Sequence, residues 1–279
     1  MRLRADLQSL GRLGRGWLRL GPRSRRNAAL FDRVEAYCTF VGHPRSGHTI
    51  VGALLDGHPE ALIGFETHAA QFVWARFGRD RTFQMILDSV ETQGERRWVS
   101  GEYSYRVPDL SQGRFERLRV IGDNQAEGTT LRIATWPGIL DRTRRLAPAL
   151  RVLHVVRHPL DNITTMARRA RGRRAGDLRH AAGRYFHLCD TVAWIRDALE
   201  PGEMRTVHHD DFVADAAAEL GGICRWLDLE ADETYLSACA GIVYSSPHRS
   251  RDRIPWPADL EGEVRARAAR YTFLERYVD

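Results

Sequence analysis

The chain has 279 residues, 43% of them hydrophobic, which suits one large α/β domain with a sizeable core and excludes wholesale disorder. It has neither an apolar run of about 18 residues nor an apolar h-region at its start, so no membrane-spanning helix and no signal peptide is expected. The net charge of +6 is uneven: residues 1–26 hold eight arginines and one acid, whereas 34 arginines meet 35 acids in the rest, so no nucleic-acid partner is expected of the body.

Every one of the 42 basic residues is an arginine; the chain contains no lysine. The basic start, residues 1–26, has an apolar stripe at Leu3, Leu7, Leu10, Gly14, Trp17 and Leu20 or Gly21, with arginines largely between. It reads as an amphipathic helix for an anionic membrane surface, or else as a loose terminus, since Gly11, Gly14 and Gly16 each weaken a helix by about 1 kcal/mol. Residues 1–33 are therefore taken as a basic extension and 34–279 as one domain. Cys38, Cys189, Cys224 and Cys239 lack metal-ligand spacing and read as buried, reduced thiols of a cytoplasmic protein, peripheral at a membrane if the extension binds one.

From residue 37 the pattern alternates between strands and helices. "YCTFVG" (37–42) is an apolar strand, 47–59 has helical spacing, "ALIGF" (61–65) is a second strand, and 67–94 is mainly helical. The aromatic stretch 97–109 reads as a hairpin arm or edge strand. "LRVIGD" (118–123) and "LRVLHVV" (150–156) are buried strands, with helical sequence broken at Pro137-Gly138 between them and Pro159 opening the next helix. "MRTVHH" (204–209) is a further strand, and helices near 179–199, 212–227, 231–241 and 258–275 complete the chain. This order predicts a three-layer α/β/α sandwich of P-loop type around a mainly parallel central sheet.

"GHPRSGHT" (42–49) lies between the first strand and its helix and matches G-x-x-x-x-G-K-[ST] at Gly42, Gly47 and Thr49, with His48 in the lysine position. Backbone N–H groups and the helix dipole make such a turn an anion site, to which Arg45, Ser46, Gly47, His48 and Thr49 belong. Arg45 is a bidentate donor suited to clamping oxyanions. A second cation, Arg157, ends the strand 150–156, and Thr165 follows two helical turns after His158. Two cations at two strand ends suit a ligand with two separate phosphate groups. Asp123, ending 118–123, leaves open a kinase that holds Mg-ATP.

"FVGHPRSGHTIVGALLDGHPEALIGFE" resembles the 5′-phosphosulfate loop of sulfotransferases that use 3′-phosphoadenosine 5′-phosphosulfate (PAPS), closest to the P-R-S-G-T-T form of tyrosylprotein and carbohydrate sulfotransferases. "LRVLHVVRHPLDNITT" is similar to the motif of that family that holds the 3′-phosphate, and "VHHDDFVADAAAELGGICRWLDL" to its later V-x-Y-E-D-L-V stretch. The resemblance implies PAPS as co-substrate, no metal, and a hydroxyl-bearing acceptor, with an acidic one hinted at by the arginine loop 168–174. It implies Glu66 as general base, with His68 as the alternative, and Arg157 and Thr165 at the 3′-phosphate. Arg249 and Arg251 match a basic cover near the C-terminus. Asn124 departs from the lysine the family often has there, which leaves a binding protein with weak turnover as a further reading.

Overall fold

Seven strands form among the residues described in the computed structural model, which are 19–100, 103–170, 172 and 176–278. They are β1 (Ala36–Gly42), β2 (Ala61–Phe65), β3 (Val99–Ser100), β4 (Tyr103–Ser104), β5 (Val120–Asn124), β6 (Ala149–Val156) and β7 (Met204–His208). Five of them make one all-parallel sheet in the order β2-β5-β1-β6-β7. β1, β2 and most of β6 are near-continuous apolar runs because both faces of a parallel sheet are covered, whereas the edge strand β7, MRTVH, buries only Val207.

Side chains alternate between those faces. Tyr37, Val41, Leu62, Ile121 and Val152 pack beneath α3 (Ala69–Trp74), α4 (Arg79–Gln93), α5 (Ala126–Thr135) and α6 (Ile139–Arg144). Cys38, Phe40, Ile63, Val120 and Leu153 pack beneath α2 (His48–Leu55), α9 (His209–Ala214), α10 (Ala216–Trp226) and α11 (Glu233–Ala240). A third cluster joins Val156 to α7 (Pro159–Arg169), α8 (Leu178–Asp197) and α12 (Ala258–Ala268). The remaining α1 (Ala28–Phe31) is a single turn.

β1 divides the sheet, with β5 and β2 on one side and β6 and β7 on the other. Ligands of open parallel sheets bind outside the carboxyl ends at such a division. The loop 42–49 leaves β1 at that point. The aromatic stretch 97–109 is not an edge strand of this sheet; the hairpin reading holds, with β3 and β4 pairing antiparallel as a separate ribbon of two residue pairs.

The amphipathic stripe of the basic extension lies mostly at 1–18, outside the described residues. Its last position does not face outward. Leu20 is buried in the body's core, and Arg23 bridges to Asp88 and Glu91 of α4. No helix among the described residues is long and apolar enough to cross a membrane.

Candidate active site

The 42–49 loop is held from three sides. The Gly42 N–H donates to Thr130 Oγ1 at 2.8 Å, Asn162 Nδ2 donates to the Pro44 carbonyl at 2.9 Å, and His43 Nε2 meets the Tyr185 carbonyl at 2.9 Å. Gly47 has φ 101°, and a Cβ there would lie 2.3 Å from His209 Cδ2, so glycine is required on both counts. Arg45 also takes a left-handed backbone, φ 67°, and its side chain is exposed. α2 begins at His48 without a side-chain cap, so its first N–H groups are left to a ligand or solvent. Ser46 Oγ is fully buried and has no hydrogen-bond partner among the described residues. A buried hydroxyl donor without an acceptor, inside a turn of backbone N–H groups, fits an anion's oxygen. Thr49 occupies the first turn of the same helix.

His48 and Asn124 clasp each other. Asn124 Nδ2 donates to the His48 carbonyl at 2.8 Å, which turns its Oδ1 toward His48 Nδ1 at 2.7 Å. The imidazole therefore donates from Nδ1. Burial first, and the Arg45 charge as well, push the His48 pKa down to about 4 against the opposing hydrogen bond to Asn124. Asn124 is completely buried. Its amide binds His48 through both Nδ2 and Oδ1, which positions the helix start. His48 contributes its backbone and this clasp.

Asp123 serves the neighbouring turn. Its Oδ1 accepts from the Thr67 N–H and its Oδ2 from the Ala69 N–H, both at 3.0 Å. Those bonds support a turn with two left-handed residues, Glu66 at φ 48° and His68 at φ 63°. Asp123 is thus a structural brace, and the kinase reading loses the free carboxylate it needs. Glu66, next to β2 and exposed, stands at the carboxyl edge of the sheet, its N–H bonded to the Asn124 carbonyl at 3.2 Å. His68 is differently placed. Arg132 donates to Gln125 Oε1 at 2.6 Å, which fixes that amide so that its Nε2 donates to His68 Nδ1 at 2.5 Å. The lone pair on Nδ1 is engaged, and neutral His68 carries its proton on Nε2.

Arg157 and Thr165 come together as their spacing predicts. Arg157 Nη1 reaches Thr165 Oγ1 and the Arg45 carbonyl, each at 3.4 Å, while Nη2 reaches Ser250 Oγ at 3.3 Å and the His248 carbonyl. These acceptors are all neutral, so no carboxylate cancels the guanidinium charge directly. Thr165 Oγ1 lies 3.0 Å from Ser250 Oγ. Ser250, only 3% exposed, is absent from the sequence-based set because a lone serine carries no motif. Arg251 does not join this group. Its side chain and its N–H both bind Asp161, at 2.5 and 2.8 Å, so it ties the C-terminal segment to α7. Arg249 is exposed on that segment.

Fold and site together define an α/β protein that gathers a donor-rich loop at β1 and Arg157 at β6, joined through the Arg45 carbonyl, beside a carboxylate at β2. Residues 39–233 match the model of the sulfotransferase family, well over half of the chain. The chain belongs to that family and is an enzyme of sulfuryl transfer. Among solved structures it is similar to the sulfotransferase domain from the curacin biosynthetic pathway, with TM-score 0.54 and 19% identity over 85% of this chain and 97% of that one. It is also similar to sulfotransferase STF9 from Mycobacterium avium, with TM-score 0.53 and 10% identity over 94% of this chain and 84% of that one. At these identities the likeness is one of fold. No curated protein matches the chain significantly.

Proposed function

We propose that the enzyme uses PAPS as its donor and transfers the sulfuryl group to a hydroxyl. The observation that carries this reading is the pairing of two polar features across 42–49 and β6. Among the described residues Ser46 Oγ has no hydrogen-bond partner inside a glycine-framed loop, and Arg157, which touches the loop at the Arg45 carbonyl, has only neutral hydrogen-bond acceptors. One suits a phosphosulfate and the other a separate phosphate, as in a nucleotide with phosphate groups at both 5′ and 3′ positions.

In this reading the N–H groups of Gly47, His48 and Thr49, with Ser46 Oγ, hold the 5′ end, and Arg45 offsets negative charge on the leaving side. Arg157, Thr165 and Ser250 hold the 3′-phosphate, with Arg249 exposed above them. When bound, the donor supplies an electrophilic sulfur whose bond to the phosphate oxygen breaks as the acceptor oxygen attacks. Glu66 takes the acceptor proton, and His68, protonated at Nε2, donates a hydrogen bond rather than accepting one. Preorganised donors around a group that gains charge are the main source of acceleration in such a site.

The reading extends to a cytoplasmic location, supported by four buried free cysteines. It extends also to an anionic membrane surface met by residues 1–26, supported by their charge pattern alone. The test is calorimetric binding of adenosine 3′,5′-bisphosphate with and without Mg²⁺, to the wild type and to Arg157→Ala. The expected result is magnesium-independent binding weakened about 10- to 100-fold in the variant, the worth of charge-assisted hydrogen bonds. A preference for Mg-ATP, or indifference to Arg157, overturns it.

A further inference from the structure

An open cleft of about 510 Å³ lies between α3 and α6, and arginines line it from both sides. Arg76 follows α3 and Arg79 opens α4, while Arg142 lies within α6 and Arg145 ends it. Asp141 is the one acid among the lining residues, and the buried side chains of Val73 and Leu146 form an apolar floor. The cleft is separate from the site at the carboxyl edge of the sheet. Arg79 binds Asp32, just ahead of β1, at 2.6 Å, and Arg144 binds Glu203, just ahead of β7, at 2.9 Å. Arg145 itself stands shortly before β6. The cleft therefore opens toward the amino ends of the strands, away from the 42–49 loop and Arg157.

The acids near this cleft are already engaged. Asp141 pairs with Arg144 at 3.3 Å, and Asp32 and Asp80 both take Arg79, at 2.6 and 2.8 Å. Arg142 donates from Nη1 to the Trp74 carbonyl at 2.7 Å, which fixes its side chain and leaves its charge uncancelled. Among the described residues no carboxylate pairs with Arg76, Arg142 or Arg145. Lone arginines on a convex face are simply solvated. Three of them around one concavity repel each other and focus a positive potential into it, which only an anion relieves.

We propose that this cleft is a second anion site, which takes a diphosphate or phosphomonoester group between its two arginine walls. Guanidinium forks match phosphate oxygens bidentately, and a group with several negative charges meets both walls at once. Arg142 is held in place by the Trp74 carbonyl, and the exposed Arg76 and Arg145 close on the ligand from opposite sides. The apolar floor suits the carbon side of an ester. A soluble phosphate ester and a lipid headgroup share this chemistry. Leu20 of the basic extension packs in the same apolar cluster as Val73 and Leu146, so the extension enters the body on this layer. No residue of the cleft belongs to the proposed donor or base set.

The test is calorimetric titration of inorganic diphosphate, at constant ionic strength, into the full-length wild type, Arg76→Gln, Arg145→Gln and Arg157→Ala. The expected result is a binding step weakened about tenfold or more in each of the two cleft variants and kept in Arg157→Ala. Both cleft variants should unfold no lower than the wild type, since neither arginine has a carboxylate to lose. Absence of the step overturns the inference. So does binding that needs Arg157 and ignores Arg76 and Arg145, because it then belongs to the donor site. Lowered unfolding midpoints in both cleft variants overturn it too, since those arginines would then be structural. A second arm separates the sources, by co-flotation with phosphatidylcholine vesicles that carry either phosphatidic acid or phosphatidylserine at matched charge. Stronger retention on phosphatidic acid, lost in the two cleft variants, assigns the site to a lipid headgroup; equal retention beside intact diphosphate binding assigns it to a soluble ester.

Discussion

Glu66 owes its position to residues that never touch the substrate. Asp123 holds the N–H groups of Thr67 and Ala69, and the Asn124 carbonyl holds the N–H of Glu66 itself, so a left-handed carboxylate is presented at the sheet edge. Glu66→Gln keeps the size and removes the proton acceptor. It is expected to lower kcat by about 10²- to 10⁴-fold with little change in bisphosphate affinity, checked by steady-state rates beside calorimetry. A kcat within a few-fold of the wild type would pass the base role to another group. Residues of this kind differ in how legible they are. Arg157 and Thr165 are readable because strand end and helix spacing place them without tertiary knowledge. Ser250, Thr130 and Asn162 are not, since each meets the site from a distant segment. Arg251 misleads for the same reason: its arginine is visible in the sequence, but its partner Asp161 lies 90 residues away.

At the scale of elements, α2 couples the anion loop to the ribbon. The helix starts at His48 in the loop and ends beside Asp56, whose Oδ2 accepts from Arg97 Nη2 at 2.7 Å and from Trp98 Nε1 at 2.8 Å, while its Oδ1 accepts from the Ile63 N–H at 3.0 Å. Both charged side chains are buried, at 0% and 3% exposure. A buried pair contributes little relative to an apolar substitute, but removing one member strands the other. Asp56→Ala is therefore expected to lower stability by about 3–5 kcal/mol, read from the denaturant midpoint. A loss under about 1 kcal/mol would mean that water reaches Arg97 in the variant. The helices and the parallel strands are legible because buried strands read as apolar runs and their helices as 3.6-residue stripes. Of the two readings of 97–109, the antiparallel pairing of a hairpin is the one that forms, over two residue pairs only, because aromatic and β-branched residues favour strand without fixing its length.

Across the whole molecule, acid stability is set by a contest between buried imidazoles and buried carboxylates. Burial, the leading cause in every case, pushes His43, His48 and His158 down to about 4 and His154 well below its ordinary range. Burial also pushes Asp56 and Asp123 up to about 6. As pH falls from about 6.5 toward 4, the unfolded chain takes up protons on these histidines, and on His58, His208 and His248, whose pKa values burial also lowers, more readily than the folded chain does, which favours unfolding. Between about 6 and 4 the folded chain takes up protons on two aspartates that the unfolded chain does not, which favours folding. The histidines outnumber the two aspartates, which leaves a net uptake by the unfolded state, so stability should fall as pH drops from about 6.5 toward 4.5. Unfolding midpoints of the ligand-free enzyme from pH 7 to 4.5 measure this directly. His158 offers a clean control, because its Nδ1 caps α7 by accepting from the Leu160 N–H at 3.2 Å and asparagine can take over that cap. His158→Asn should fold, keep its stability at pH 7 and make the acid slope shallower, since one histidine that takes up a proton only on unfolding is gone. A midpoint that rises on acidification would mean that the two aspartates outweigh the histidines.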